Sequence, residues 1–223
     1  MARGVSTIAI DGPVAAGKTV VGRELAGRLG FSFLDTGVMY RAIPGLALTS
    51  GTSIDDPDSL GELAVANPVQ LISKDSSRVR VGGNEVGQEL REPGIESNVS
   101  AVSAVSPVRR AMVAQQRDLA AQGQIVMTGR DIGTVVLPNA DLKVYLLASP
   151  ENRARRRWAE MEERGQSVQF GKVLEETKHR DGIDSGRDDS PLRAASDAWT
   201  LGTEHLTVAQ VVDRIIAEVQ KRQ

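Results

Sequence analysis

The chain has 223 residues, of which 40% are hydrophobic, 25% are charged and only 3% are aromatic. This composition predicts a globular protein with one ample core, built from Val, Leu, Ile and Ala. The sequence has no cysteine, which excludes disulfides and thiolate metal sites, and its two histidines make a histidine zinc site implausible. The formal net charge of −2 argues against a general nucleic-acid-binding protein.

Hydropathy gives an expectation for the location of the protein. No apolar run approaches the ~20 residues of a membrane span, and the N-terminal residues Met1–Val5 lack the apolar core of a signal peptide. We therefore expect a cytoplasmic protein that binds neither membranes nor nucleic acid.

The first predicted strand, Val5–Ile10, is followed by a glycine-rich loop, Gly12–Thr19, and by a predicted helix that ends at Leu29. The loop fits the pattern of a phosphate-binding loop, whose backbone N–H groups surround a polyphosphate. Lys18 would supply charge for the outer phosphates and the Thr19 hydroxyl would ligate magnesium. The predicted ATP-binding residues here are Gly12, Pro13, Val14, Ala15, Ala16, Gly17, Lys18, Thr19 and Val20.

The second predicted strand, Phe31–Leu34, delivers the polar residues Asp35, Thr36 and Gly37 at its carboxyl end, where ligands bind in α/β sheets. A helix is predicted through Leu48. Residues 51–94 have a different composition, and we interpret them as a small mixed lobe with short strands at Val69–Ser73, Arg78–Val81 and Asn84–Val86 and a hairpin turn at Gly82-Gly83.

The second half of the chain continues the alternation of strands and helices, which predicts an α/β fold with a parallel sheet. A helix is expected over Asn98–Gln122, broken or kinked by Pro107. The next predicted elements are the strands Gln124–Thr128 and Asp141–Ser149, an arginine-rich helix Glu151–Arg164, a helix Gln169–His179, a polar loop Arg180–Pro191, a strand Ala198–Leu201 and a helix Val208–Lys221.

Four motifs together resemble those of the bacterial cytidylate kinase family of P-loop nucleoside-monophosphate kinases. They are Asp11–Pro13, Leu34–Arg41, Gly129–Pro138 and Arg180–Leu192. The resemblance implies a three-layer α/β/α domain with a five-stranded parallel core at about 1–50, 95–150 and 195–223. It also implies a monophosphate-binding insert at about 51–94 and a helical lid at about 151–190. The implied protein is a monomer that transfers a phosphoryl group from ATP to CMP or dCMP with Mg²⁺.

Phosphoryl transfer needs two anionic groups held in line and their charge neutralised, so cations are required from several directions. The resemblance implies that Lys18, Arg130 and Arg180 are catalytic. It implies a CMP phosphate held by Arg41 and Arg130, a cytosine faced by Thr36, Arg109, Asp131 and Arg187, and ribose hydroxyls near Ser100, Arg180 and Asp184. Tyr40 and Gly129 complete the predicted substrate site, and Arg153 and Arg157 are predicted to contact ATP from the lid.

Asp131 is our candidate for base discrimination, because an ionised carboxylate accepts from the exocyclic amine of cytosine and would face an acceptor in uracil. Three alternatives stay open. Asp131 could instead cap the backbone that follows Gly129. Asp184 and Arg187 could pair with each other, and Tyr40 could be a packing residue rather than a ligand contact.

Three residues depart from the family pattern. Ala15 stands where a second loop glycine is usual, and it would be strained by about 1–2 kcal/mol if its φ is positive. Thr128 replaces a carboxylate that could orient the waters of magnesium. Gly202 replaces an aspartate near the nucleotide base. We expect an active enzyme, and these changes leave open a slowed one.

Other functions are also compatible with the loop. One is a P-loop kinase with a different acceptor, such as UMP or AMP, and another is a relative that binds nucleotide without turnover. A nucleotide-dependent switch is less favoured, because the Asn-Lys-x-Asp guanine motif of switch GTPases is absent.

Overall fold

The computed structural model describes residues 4–72, 74 and 79–222. The strands are β1 (Thr7–Asp11), β2 (Ser32–Asp35), β3 (Val69–Leu71), β4 (Val79–Val81), β5 (Asn84–Val86), β6 (Ile125–Thr128), β7 (Leu142–Leu147) and β8 (Trp199–Gly202). The α-helices are α1 (Lys18–Leu29), α2 (Thr36–Ser50), α3 (Pro57–Ala66), α4 (Pro93–Glu96), α5 (Val99–Ala104), α6 (Ser106–Ala120), α7 (Pro150–Glu163), α8 (Phe170–Gly186) and α9 (Val208–Gln220). No helix within the described ranges has the length and apolar character needed to span a bilayer.

The central sheet has five parallel strands in the order β2-β6-β1-β7-β8, with Ile8 of β1 opposite Val126 of β6 and Leu142 of β7. Alternate residues of β1 enter different cores. Ile8 and Ile10 belong to the core shared with α1 and α9, whereas Ala9 belongs to the core shared with α2 and α6. Helices therefore cover both faces of the sheet, and the predicted three-layer α/β fold is confirmed.

A second sheet of three short antiparallel strands, β3-β4-β5, lies within residues 51–94. Its hairpin turn has Gly82 and Gly83 at φ +55° and +85°, between the paired residues Val81 and Asn84. Two positive φ angles are the requirement of the tight turn that matches strand twist, which is why glycine occupies both positions. Ser73 and Arg78, which were predicted as strand residues, lie outside the described residues.

The structure corrects several element boundaries. Helix α8 continues to Gly186, so that Arg180 and Asp184 lie on a helix and not in the predicted loop. The sequence of this extension has little intrinsic helix propensity, so tertiary contacts stabilise it. Asp184 pairs with Arg130, and the backbone carbonyl of Asp184 accepts from the N–H of Leu192 at 2.7 Å.

The predicted helix 98–122 is two helices that meet at Val105, with Pro107 in the first turn of α6, where its missing N–H costs no hydrogen bond. Helix α3 was not predicted. It starts at the N-cap Asp56, whose carboxylate accepts from the N–H groups of Asp58 and Ser59.

The loop between β1 and α1 requires unusual backbone angles. Gly12 has φ +147°, and a Cβ there would lie 2.3 Å from the carbonyl oxygen of Leu146. Ala15 has φ +57°, in the left-handed region that L-residues with a side chain rarely adopt. The departure at position 15 therefore stores backbone strain in the loop.

We predict that Ala15→Gly stabilises the protein. Glycine relieves a strain of about 1–2 kcal/mol at this φ, and its extra freedom in the unfolded chain cancels about 0.4–1 kcal/mol of that gain. The expected net gain, roughly 0.5–1 kcal/mol, corresponds to a rise in Tm of about 1–4 °C in a thermal melt. Ala16 is buried and has no positive φ, so Ala16→Gly is the matched control and should lower Tm. An unchanged or lower Tm for Ala15→Gly would contradict this prediction.

Asp11, the last residue of β1, fixes the chain segment that follows β6. Its two carboxylate oxygens accept from the N–H groups of Ile132 and Gly133 at 2.8 and 2.7 Å. The segment Ile132–Val136 forms a short π-helical turn, which was not predicted. Burial is the main influence on the Asp11 carboxyl and, against the two backbone hydrogen bonds, raises its pKa to about 6.

This raised pKa predicts a pH dependence of stability. Between about pH 4 and pH 6 the folded protein binds a proton at Asp11 that the unfolded chain releases, so this contribution to stability falls as the pH rises and is constant above about pH 6. Relative to Asp11→Asn, which does not titrate, the wild type should lose up to about 3 kcal/mol of unfolding free energy across that window. Urea unfolding of both proteins at a series of pH values measures the difference, and a difference independent of pH would contradict the prediction.

Candidate active site

A cleft of about 590 Å³ opens at the carboxyl ends of the central strands, between the glycine-rich loop, α2, α5, α7 and α8. Most of the residues predicted from the sequence line it, although they come from distant parts of the chain. These residues are Val14, Ala15, Ala16, Gly17, Lys18, Thr19, Val20, Thr36, Tyr40, Arg41, Ser100, Arg109, Gly129, Arg130, Asp131, Arg157, Arg180, Asp184 and Arg187.

Lys18, the first residue of α1, is buried and directed back onto the loop. Its Nζ donates to the carbonyl oxygens of Gly12 and Pro13 at 2.7 and 2.6 Å. Burial, followed by the nearby charge of Arg130, lowers the pKa of Lys18 well below its ordinary value. Gly12 and Pro13 do not line the cleft themselves, so they contribute through these carbonyls.

Arg153 was predicted to contact ATP, but it does not line the cleft. Its side chain is only 3% exposed, lies outside the cleft lining, and forms a two-point ion pair with Asp181 of α8 at 3.0 and 2.6 Å. It also donates to the carbonyl oxygen of Val14 at 3.1 Å. The planar guanidinium matches a carboxylate at two points, and this buried pairing holds the side chain between the loop and α8.

Arg156, a neighbour in the same arginine cluster, lines the cleft where Arg153 does not. It donates to the backbone carbonyl and the hydroxyl of Thr203 at 2.6 and 3.2 Å, just after β8. Arg155 is exposed. A Cβ at Gly202 would meet no atom of the described residues within 4 Å, so the missing aspartate leaves open space there.

The residues around Thr19 provide hard oxygen donors beside the loop. Its hydroxyl donates to Oδ2 of Asp35 at 2.9 Å, and Asp35 also caps α2 by accepting from the N–H of Gly37. In the sheet register Asp35 lies directly opposite Thr128. The Asp35 carboxylate on β2 is thus the direct neighbour of Thr128 on β6, the position where the family usually has a carboxylate.

This oxygen set fits Mg²⁺, which binds through one or two protein oxygens and keeps its waters. No cluster of three or more acidic or histidine side chains suited to a metal occurs among the described residues. Thr19 and Asp35 are the residues beside the loop whose oxygens could hold such an ion. Thr128 is buried, and its γ-methyl group packs 2.6 Å from where a Cβ on Gly22 would lie, so it contributes to packing against α1.

Arg109 and Asp131 form a buried ion pair, and both residues line the cleft. Arg109 also donates to the carbonyl oxygen of Ser103 at 3.0 Å and lies 5.3 Å from the centre of the Tyr40 ring. The Asp131 side chain makes no capping hydrogen bond to the turn that follows, which removes the capping alternative. Tyr40 lines the cleft and supports Arg109, so it combines packing with a place in the site.

Asp184 lies at the centre of a second charged cluster. Its carboxylate accepts from Nε of Arg130 at 2.7 Å and lies 3.7 Å from Nη2 of Arg187. The pairing of Asp184 with Arg187 is therefore present, together with a stronger contact to Arg130. Burial raises the pKa of Asp184, but Arg130 and the other nearby cations outweigh it and leave the pKa below its ordinary value.

Two further predicted residues, Ser100 and Arg180, meet across the cleft, where Nε of Arg180 donates to the Ser100 hydroxyl at 3.3 Å. Beside them lies Glu96, which sequence reasoning missed. Its two carboxylate oxygens contact Arg41 of α2 and Arg157 of α7 at 3.1 and 3.2 Å. No motif contains Glu96, so its position was visible only after α2, α4 and α7 were packed together.

The sequence of the chain is similar to those of known proteins. A family model described as Cytidylate kinase matches residues 8–221. The chain is 45% identical over 214 residues to the cytidylate kinase of Caldanaerobacter subterraneus subsp. tengcongensis, covering 96% of this chain and 94% of that protein. It is 42% identical over 217 residues to the cytidylate kinase of Bacillus subtilis, with 97% of each chain covered.

Solved structures give the same fold at much lower sequence identity. A shikimate kinase from Bacteroides thetaiotaomicron is 14% identical, with a TM-score of 0.50, and the match covers 96% of this chain and 98% of that one. An uncharacterised protein from Eubacterium ventriosum is also 14% identical, with a TM-score of 0.53 over 98% and 99% of the two chains. The sequence relationships, which extend over nearly the whole chain, show that this protein belongs to the cytidylate kinase family.

Proposed function

We propose that this protein transfers the γ-phosphoryl group of ATP to CMP or dCMP, yielding ADP and CDP or dCDP for pyrimidine nucleotide metabolism. The observation that carries the proposal is that one cleft contains both a phosphate-binding loop and a buried Arg109–Asp131 pair suited to a cytosine base. We propose a monomeric enzyme, as the resemblance to the family implies. We propose a cytoplasmic location, where ATP is supplied.

The loop side is suited to the donor nucleotide. Lys18, Thr19 and Val20, at the N-terminus of α1, line the cleft. A helix N-terminus carries partial positive charge, which favours phosphate. The Lys18 ammonium group is held by two carbonyls until a phosphate oxygen replaces them. Thr19 and Asp35 would hold magnesium together with the phosphates, and the ion would supply further charge neutralisation when bound.

The opposite side is suited to the acceptor. A cytosine base directs its exocyclic amine, a donor, toward the Asp131 carboxylate, while Arg109 donates to the ring acceptors. Arg109 is already fixed by Ser103 and Asp131, so little side-chain entropy remains to be lost when the base binds. The ribose would lie near Ser100, Arg180 and Asp184.

Between the two sides, arginines converge where the transferred phosphoryl group would pass. Arg130 follows β6, Arg41 lies on α2 and Arg180 lies on α8. Such a group bears charge on its equatorial oxygens in the transition state, and preorganised cations stabilise that charge. Helices α7 and α8, which form one side of the cleft, are positioned to exclude water and so to limit ATP hydrolysis.

The first test is a coupled assay of ADP release with ATP and magnesium, offering CMP, dCMP, UMP and AMP in parallel. We expect turnover with CMP and dCMP and a fall of at least ~100-fold in kcat for Lys18→Ala, because a cation aimed at the transferred phosphate is lost. A cooperative melting curve for the variant shows that it is folded. Preferred turnover of UMP or AMP would favour another acceptor, and binding of CMP without any turnover would favour a nucleotide-binding relative whose strained loop has lost catalysis.

The second test concerns base discrimination. Asp131→Asn presents both a donor and an acceptor, and Asp131→Ala presents neither, so both should reduce the CMP over UMP ratio of kcat/KM by about tenfold or more. Asp118→Asn, on the exposed side of α6, removes the same charge outside the cleft and should leave the ratio unchanged. A CMP preference that survives both Asp131 changes in folded protein would exclude this role for Asp131.

A further inference from the structure

Glu96 is an acidic side chain at a place where the proposed chemistry needs cations. It ends the short helix α4, and its side chain is 14% exposed. Oε1 accepts from Nε of Arg41 at 3.1 Å, and Oε2 accepts from Nη2 of Arg157 at 3.2 Å. The carboxylate thus joins an arginine of the predicted acceptor site to an arginine of the predicted lid.

Three cations act on this carboxylate. Burial alone would raise the pKa of Glu96, but the charges of Arg41, Arg180 and Arg157 outweigh burial and leave the pKa below its ordinary value. Other carboxylates also act on these arginines: Glu160 lies 3.7 Å from Arg157 and is half exposed, and the charge of Asp184 acts on Arg180. Glu96 is therefore ionised at neutral pH, and it is the carboxylate that contacts both Arg41 and Arg157.

An anion that presents two oxygens to converging guanidinium groups is chemically close to a phosphate monoester in the same place. Arginines pair with carboxylates and with phosphates by the same two-point geometry. A phosphate that binds at Arg41 brings up to two negative charges to a group that already contains a carboxylate. At contact distance and low solvent exposure, like charges repel strongly. The two anions cannot both keep these contacts.

We propose that Glu96 holds Arg41 and Arg157 in the substrate-free protein as an internal substitute for the acceptor phosphate, and that substrate binding displaces it. This inference rests on the proposed function, because it takes Arg41 as a ligand of the acceptor phosphate. Glu96 is then a residue that sets acceptor affinity through the arginines it occupies. Its displacement also releases Arg157, so acceptor binding frees α7 from α4.

The displacement has a signature that a purely structural ion pair does not have. Removing the charge of Glu96 should weaken the substrate-free fold and at the same time strengthen anion binding. A structural role alone would lower stability and leave anion binding unchanged or weaker. Glutamine is nearly the same size as glutamate and keeps one acceptor oxygen, so Glu96→Gln removes the charge with little change in shape.

The experiment compares wild type, Glu96→Gln and Glu96→Asp, with sulfate as a minimal tetrahedral dianion. For Glu96→Gln we expect the KM for CMP and the competitive inhibition constant of sulfate to fall by about fivefold, because bonds between charged partners are replaced by weaker neutral ones. The Tm without ligand should fall. Glu96→Asp keeps the charge and should lie nearer the wild type. Glu92→Gln, an exposed change at the start of α4, is the control with the same change of net charge and should match the wild type.

A KM for CMP and a sulfate constant that are unchanged or raised in Glu96→Gln would overturn the inference. The proposed function fails in a different way, through absence of CMP turnover in the wild type. In that case the rise in Tm that sulfate causes in wild type and Glu96→Gln still measures the competition. A larger rise in the variant supports displacement of Glu96 by an anion, and an equal or smaller rise rejects it.

Discussion

The structure depends on neutralising several positively charged side chains that lie close together in one cleft. Lys18, Arg41, Arg109, Arg130 and Arg180 converge there, and their mutual repulsion at low solvent exposure would oppose folding. Each of these cations has an internal oxygen partner. Lys18 uses carbonyls, Arg180 uses a hydroxyl, and the other three use the carboxylates of Glu96, Asp131 and Asp184. The site is therefore assembled before any nucleotide is bound.

The same arrangement explains how different parts of the chain cooperate. The sheet brings the ends of β1, β2 and β6 together, and Asp11 fixes the segment after β6 by accepting from two backbone N–H groups. These hydrogen bonds fix the positions of Arg130 and Asp131, which come just before Ile132 in the chain. Asp131 then pairs with Arg109 of α6, and Arg130 pairs with Asp184 of α8. These two ion pairs link the positions of both helices to the segment that follows β6.

Much of this architecture could be predicted from the sequence. The strands and most helices follow from apolar periodicity, and the loop follows from its glycine spacing and from the strand and helix around it. The predicted residues at the ends of strands, such as Thr36 and Arg130, line the cleft because parallel strands end at one edge.

The remainder depended on tertiary geometry. Four arginines within residues 153–157 cover all sides of a helix, and only the rotation of α7 against the core decides that Arg153 is buried while Arg156 and Arg157 face the cleft. The last turns of α8 form because Asp184 is paired, which no local pattern indicates. Glu96 belongs to no motif. The sequence predicted strain at Ala15 only if its φ angle is positive, and the surroundings of a loop residue, which the sequence does not show, determine that angle.

The buried contacts of Arg153 have a mechanical consequence. One guanidinium group connects the loop carbonyl of Val14 with the Asp181 carboxylate, near the middle of α8. Because the group is planar and bonded at both ends, α8 is anchored at this point to the loop that is suited to ATP. Arg153 therefore couples the glycine-rich loop to α7 and α8 while lying outside the cleft lining, so it shapes the cleft through the position of these helices and not through direct contact.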